Sequence, residues 1–569
     1  MTHAKTRARA ARFGVPALLL ALLGLGWGNS PSSAQDTAGL SADANTPSLQ
    51  VPIFGDVVDV RVVNVEVVVE DKDGVRVSGL QPADFRLLVD GQEATIDYFT
   101  EVRGGEAVAA AGGEGIPKGV PALDAGTTVG TSYLVFVDDF FATKHDRDLV
   151  LRSLASQSSA LGPNDRMAVV SYDGKRLEML STWTSTVPTL ERAFRAAMDR
   201  PAFGLQRMTE LRLALRDAQL SRSTRSPFDR SVMGRVDLPV RDFVERLGEQ
   251  VERSIAAASS ALRGFASPPG RKVMLLLSGG WPLEPSQTVV PPGQLAIPER
   301  DLQGGPRLFQ PLSDTANQLG YTLYPVDVPG LEGDGDIASD ATVDDRDLTV
   351  GASREKEQEV QVALSFLARQ TGGKALINSN RSAVFSAVAA DTRSYYWLGY
   401  SPQRKGDDKR HKVEVEIRRK GYRVRTRENF EDSSRRRELN NVVESALLFG
   451  NPPSSRPLAV EVGRPAKSGR LLRVPLVVQI PIDQLTLVSI GGRQVGEMEL
   501  RIAALDEAGR RSEVSVLPIR VTVDRQLQAG EFSPYATSVD VRKVQQSVVV
   551  ALVDMASGEM FSTTLTLNP

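Results

Sequence analysis

Two consecutive aspartates, Asp138 and Asp139, are the residues of this chain best placed to do chemistry. They close the apolar run Ser132 to Asp139, which continues into Phe140-Phe141-Ala142-Thr143. A second apolar run, Lys272 to Ser278, leads into Gly279-Gly280. Carboxylates and hydroxyls gathered at such tips are the hard oxygen donors that Mg²⁺ takes in octahedral geometry. An acid–base pair is a poorer fit, because neighbouring strand residues point to opposite faces. Asp138 has a purely structural alternative, accepting backbone N–H groups where the next helix starts.

Counting removes other chemistries. The chain has no cysteine and three histidines, His3, His145 and His411. Histidine-based zinc sites and Ser-His-Asp hydrolysis therefore lack their residues, and no glycine-rich phosphate loop is present. A non-enzymatic protein is expected, with a hydrolase as the weakest alternative. Asp71 and Asp73 precede Gly74 directly and lack a bidentate Glu at loop distance, so they read as a turn. The acids of residues 332–347 (Asp334, Asp336, Asp340, Asp344, Asp345, Asp347) match no ligand cage and read as a solvated loop.

The two apolar runs read as central strands of an open α/β sheet, in which ligands bind beyond the strands' carboxyl ends. Strand and helix patterns alternate from Ser132 to about Asn378. A helical excursion carries Val244, Leu247, Val251, Ile255, Ala258 and Leu262 on one apolar stripe. The expected order is a signal peptide at 1–34, a disordered lead at 35–52 and an N-terminal β domain at 53–102. A linker at 103–130 precedes the α/β domain at 131–392, which carries a helical insertion at 203–268. A β extension at 393–430, a helix and linker at 431–457 and a C-terminal β-sandwich at 458–569 complete the chain. The leader rests on Lys5, Arg7, Arg9 and Arg12 before the apolar Val15 to Leu25, with small residues to Ala34. It implies export to the periplasm or beyond the cell, with no membrane span left after cleavage. The formal net charge of −2 becomes −6 when those four cations leave. That balance argues against nucleic-acid partners, so the arginines at 418, 419, 423, 425 and 427 read as a solvated strand face.

Several segments, in order, resemble the von Willebrand factor A (VWA) family. They are the strand ending at Asp138, Pro163-Asn164-Asp165-Arg166 to Tyr172, and Pro269-Gly270-Arg271 to Gly280. Ala316-Asn317, Tyr324 to Asp327, Leu367 to Gly373, Asp391 to Pro402 and Gly421 to Arg425 are similar to a secreted, acidobacterial-type branch. So is the upstream Val67 to Phe99. The resemblance implies a doubly wound, Rossmann-like α/β domain flanked by antiparallel β-sandwich-like domains. It also implies a Mg²⁺ held by Asp-x-Ser-x-Ser, a Thr and a second Asp, completed by a partner's acid. Carried over, Asp138 takes the first position, Phe140 and Ala142 stand where the serines belong, and Gly279 stands where the second Asp belongs. Thr209 is a weakly placed candidate for the Thr. The expectation is thus a degenerate site with no cofactor and a protein partner captured at the top face by Asp138, Asp139, Phe140, Phe141, Thr143 and Ser278. The alternative is Mg²⁺-dependent adhesion through Asp138, Asp139 and Thr143. Phe140 and Phe141 either meet the partner or pack beneath the helical excursion.

Overall fold

The computed structural model describes residues 63–112, 125–223, 238–265, 271–288, 304–328, 358–378, 383–402, 406–449, 452–490, 492–507 and 509–568. The expected leader, the lead to residue 52 and the acidic loop 332–347 lie outside them.

The first described segment carries β1 (Val63–Glu70), β2 (Phe85–Val89), β3 (Gln92–Ala94), β4 (Tyr98–Arg103) and β5 (Glu106–Gly112). Residues 63–103 are β-rich, as their branched and aromatic residues predict, but they do not stand as a domain. β1 is sandwiched between β11 (Tyr395–Tyr400) and β13 (Arg423–Thr426), antiparallel to both. β2 pairs with β12 (Arg410–Ile417), which also pairs with β14 (Asn429–Glu431). The expected N-terminal domain and the expected β extension are therefore one unit made of two distant stretches. Part of the expected linker is strand β5, paired with β4.

Between those stretches lie β6 (Thr131–Asp138), β7 (Arg166–Tyr172), β8 (Leu177–Thr184), β9 (Arg271–Ser278) and β10 (Tyr321–Asp327). They form one sheet in the order β10-β9-β6-β7-β8, parallel except for β8. Both faces are apolar because both are covered. One meets α1 (Lys144–Gln157), α2 (Val187–Asp199) and α7 (Val384–Thr392) through Val150, Leu190 and Val388. The other meets α4 (Leu238–Gly264), α5 (Pro306–Leu319) and α6 (358–370). Within α4, Val251, Ile255, Ala258 and Leu262 of the expected stripe are core residues. α3 (Gly204–Ser223) precedes it.

Two polar knots join the composite β unit to this sheet. Arg271, buried at the start of β9, pairs with Glu66 of β1 at 3.2 Å, donates to the Thr392 carbonyl at 2.6 Å and lies 3.9 Å from the Tyr395 ring centroid. Asp391 accepts from Arg76, from Arg425 at 2.7 Å and from the Tyr324 hydroxyl at 2.6 Å. Burial raises the Asp391 carboxyl, but its donors, Arg425 foremost, outweigh burial and hold it below its ordinary value. The arginines of β13 and the residue after it are thus not a purely solvated face. Arg425 serves Asp391, and the buried Arg427 donates to the Asn317 carbonyl at 2.6 Å.

Beyond α8 (Arg435–Phe449) come β15 (Arg456–Pro457), β16 (Ala459–Val462), β17 (Ala466–Ser468), β18 (Leu471–Pro481), β19 (Val488–Ile490) and β20 (Arg493–Asp506). β21 (Ser515–Val523), β22 (Phe532–Val541), β23 (Gln546–Asp554) and β24 (Met560–Leu567) complete them. They make two sheets whose apolar faces share one core, with Val474, Leu476 and Val478 among the residues that meet Leu500, Ile502 and Val550. α8 wedges Val443 and Leu447 against Ala503 and Val549 on one side and the α4 face on the other.

The expected class, a doubly wound α/β domain between two β-sandwich-like domains, is corrected by this architecture. Among the described residues strand outweighs helix, 40% against 31%. The described strands are spread over five sheets, and their parallel ladders are β10-β9-β6-β7 and the two-residue pair of β15 with β24, beside an isolated parallel bridge of Val326 with Leu376. The local pattern of two apolar strands does not speak for the rest. Antiparallel pairing between residues near 65 and residues near 398 leaves no local signature. No described helix is long and apolar enough to cross a membrane.

A chain shortened to start at residue 125 should not fold cooperatively, because β11 and β12 would lose β1 and β2 and expose long free edges. A broadened urea transition with dye binding is the expected result. A sharp transition of undiminished slope would contradict it.

Candidate functional site

The tip of β6 is closed from three sides. Asp138 is fully buried. Its Oδ1 accepts from the backbone N–H groups of Phe140 at 3.0 Å and Phe141 at 3.2 Å. Its Oδ2 accepts the Trp281 indole N–H at 2.5 Å, and that indole is buried as well. Burial pushes the carboxyl up to about 7, against the pull of these three donors. N–H groups take three of the carboxylate's roughly four lone-pair positions, so a cation would have to compete with them on both oxygens. The structural alternative for Asp138, tying down the backbone ahead of α1, matches this geometry.

Asp139 turns the other way and is equally well supplied with donors. It accepts from Arg147 at 2.6 Å, from Arg200 Nε at 2.8 Å and from the Ser171 hydroxyl. Burial raises its carboxyl, and Ser171 and the two arginines oppose that. Arg147 is itself fully buried, with Asp148 Oδ1 and the carbonyls of Met198 and Arg200 as further acceptors. The two aspartates therefore work in separate networks and share no site between them.

The remaining positions of the expected metal site are filled by backbone. A Cβ on Gly279 would lie 2.3 Å from the Ala142 Cα and 2.5 Å from the Phe141 carbonyl carbon. A Cβ on Gly204 would lie 2.5 Å from the Ala142 carbonyl carbon and 2.6 Å from the Thr143 nitrogen. Residues 141–143 are thus clamped between two glycines, and the Gly204 N–H donates to the Ala142 carbonyl at 3.0 Å. The second aspartate of the VWA pattern could not stand at 279 without moving this loop. Thr143 caps α1, its Oγ1 accepting the Asp146 N–H at 3.4 Å and donating to Asp146 Oδ2 at 2.5 Å. Ser278 is buried, with its Oγ accepting from the Gly280 N–H at 3.3 Å. Thr209 sits exposed on α3 and donates to the Leu205 carbonyl at 2.9 Å, so it does not join the tip.

Of the six residues expected to face a partner, Asp138, Asp139, Phe141 and Ser278 lie in the interior, which corrects that expectation for these four. Phe141 is a core residue beneath α4. Phe140 and Thr143 are half-buried. The Phe140 ring covers Gly174, meets Phe141 edge-on at 5.0 Å and carries the Arg207 guanidinium 4.7 Å from its centroid. α3, which supplies Arg207, leaves Leu205 67% exposed and Leu213 55% exposed. Sequence reasoning missed Trp281, Arg147, Arg200 and Gly204. Trp281 had a signal, since an indole directly after Gly279-Gly280 at a strand tip must find an acceptor if buried.

No protein-family model matches the chain, and no curated protein does. Among solved structures, it is similar to a β-glucuronidase of Bacteroides uniformis, at 12% identity and a TM-score of 0.14. That match covers 19% of this chain and 12% of the other. It is also similar to the pilus adhesin SpaC of Lactobacillus rhamnosus GG, at 8% identity and a TM-score of 0.25. There the match covers 86% of this chain and 61% of the adhesin. Likenesses at these scores transfer neither a fold nor an activity.

Two outcomes test the closed tip. Gly279→Asp should cost about 3 kcal/mol or more through overpacking, without creating Mg²⁺ binding in calorimetry. The pH dependence follows from the raised Asp138 carboxyl. The folded state holds this proton where the unfolded state has lost it, so stability should fall as pH rises from about 4 to about 7. Denaturation midpoints at pH 5 and 7.5 should differ less in Asp138→Asn than in the parent chain.

Proposed function

We propose that the chain is an exported, non-enzymatic interaction protein of adhesion type, a divergent member of the secreted VWA-type family. It captures a protein partner at the β6 end without a cation there. The observation that carries this reading is the engagement of Asp138 by Trp281, Phe140 and Phe141. N–H donors occupy both of its oxygens, and backbone fills the space that cation-mediated capture would need. What the tip presents instead is the half-buried Phe140 with Arg207 of α3 over its ring, and α3 itself exposes Leu205 and Leu213. Apolar side chains beside a rigid, hydrogen-bonded loop make a preorganised contact surface. The separation of Asp138 from Asp139 supports the non-enzymatic reading, since the two carboxylates are not aimed at a shared substrate position.

The test separates contact from packing. Phe140→Ser with Leu205→Glu should reduce partner retention at least tenfold while leaving the melting temperature near that of the parent. Phe141→Ser should instead destabilise the fold by about 3 kcal/mol, as a deleted core aromatic does. Retention on native cell-envelope preparations should be the same with and without EDTA. Loss of capture on chelation, or full capture by the double variant, would refute the proposal.

A further inference from the structure

A second set of metal-ligating side chains lies on another sheet, away from the β6 tip. We propose that His411, Asp407 and Asp432 form a binding site for a divalent transition ion of the Zn²⁺ type. Asp407 lies in the loop that enters β12, His411 is the second residue of that strand, and Asp432 follows β14 directly. Pairing of His411 with Phe430 in the β12–β14 ladder brings the three together. One ligand atom of each lies within 4.8 Å of the others.

The imidazole is set as a ligand would be. Its Nδ1 is 2.8 Å from Asp90 Oδ2, so a carboxylate outside the cluster holds the ring and leaves Nε2 for the cluster. Ligating histidines commonly have this arrangement, a carboxylate on one nitrogen and the ion on the other. The ring also stacks on Phe430, with centroids 5.0 Å apart and planes at 22°. Asp90 is held in turn, accepting the Lys412 N–H at 2.9 Å on its other oxygen. Nε2 lies 3.7 Å from Asp407 Oδ1, too far for a hydrogen bond. Two ligands about 2.1 Å from a tetrahedral ion are separated by roughly 3.4 Å, close to that spacing.

Backbone groups hold both carboxylates in place. Asp432 is 2% exposed, and its Oδ2 accepts the Gly406 N–H at 3.0 Å. Its backbone pairs with Lys409 and Asp408 at 2.9 Å each, which pins the loop over the site. Asp407 Oδ1 accepts the Lys409 N–H at 3.0 Å. Among the described residues, Lys409 Nζ is 3.8 Å from Asp407 Oδ2 on a side chain 75% exposed, so this cation can swing into water when an ion binds. One imidazole among the ligands favours Zn²⁺ over Mg²⁺ or Ca²⁺, which prefer all-oxygen shells. Three protein ligands leave a fourth tetrahedral position for water or a partner's donor group. Such an ion would staple the 406–411 loop to the end of β14. Through Asp90 it would also tie both to the β2–β3 turn.

The test uses the tag-free full chain and Zn²⁺ itself, titrated by calorimetry and followed by thermal melting. One Zn²⁺ per chain and a raised melting temperature are expected. His411→Gln and Asp407→Asn should abolish both effects, while Asp90→Asn should weaken binding by about 10–100-fold. His145→Ala should change nothing. Mg²⁺ and Ca²⁺ in large excess should not displace Zn²⁺, and Co²⁺ should give visible absorption that His411→Gln loses. Absence of Zn²⁺ binding at high-micromolar free metal would overturn the proposal. Undiminished binding by either His411→Gln or Asp407→Asn would overturn it too. Asp407 is a half-buried loop residue, so its variant keeps the test valid even where loss of the His411 ring unsettles β12.

Discussion

A carboxylate without water must have its lone pairs filled, and Asp138 sets the local structure through that requirement. It lies at the end of β6, with neighbouring strands on both sides and helices over both faces. Its oxygens cannot be hydrated there, so the chain has to bring donors to them. Two come from the backbone immediately after it, which forces residues 140–142 to fold back over the strand end. The third is the Trp281 indole, which carries the chain after β9 across the same tip. Gly204 and Gly279 then become obligatory, because the folded-back loop occupies the space their side chains would take. One buried carboxyl thus accounts for the loop path, two glycines and the interior position of a tryptophan.

Asp139 extends the same logic to the opposite face. Its partner Arg147 is wholly buried and would be costly alone, but it has carboxylates on two sides and backbone carbonyls beyond. A buried ion pair of this kind contributes little net stability compared with well-packed apolar residues. Its effect is on position. It ties α1 and the end of α2 to the tip through Arg147 and Arg200, so the loop between β6 and α1 has little freedom. Rigidity at a strand tip whose carboxylates are taken up by N–H donors suits a contact surface, which must not lose order when it binds.

What the sequence made legible was the local part of this structure. β6 and β9 stood out because a short apolar run closed by turn residues is the mark of a strand covered on both faces, and the α4 stripe was visible as a helical period. That Phe140, Ala142 and Gly279 have no oxygen side chains to offer was also readable. The direction in which those side chains point was not readable. Phe140 and Phe141 are adjacent and chemically identical, yet one lies over Gly174 near the surface and the other is core. Only the fold-back imposed by Asp138 distinguishes them. The composite β unit was hidden for a different reason. β1 reads as an ordinary strand, but its neighbours β11 and β13 lie beyond the whole parallel sheet in sequence, and pairing over that distance follows from topology.

That topology gives the polar knots at Arg271 and Asp391 their importance. A strand unit assembled from both ends of an intervening layer can form only if the layer's two termini are brought side by side. Glu66, Thr392 and Tyr395 converge on Arg271, while Arg76, Tyr324 and Arg425 converge on Asp391. Each knot therefore joins β1 or the segment just after it, a strand of the parallel sheet, and the α7–β13 stretch. Apolar packing alone would tolerate small slips between the layers. Charged hydrogen bonds with defined directions would not, because a slip would leave a buried guanidinium or carboxylate unpaired. The same constraint reaches His411 and Asp90, which belong to segments paired only because the two ends of the unit have met. The juxtaposition of His411 and Asp90 is thus a product of the fold's long-range closure, whereas the Asp138 tip is a product of its local chain reversal.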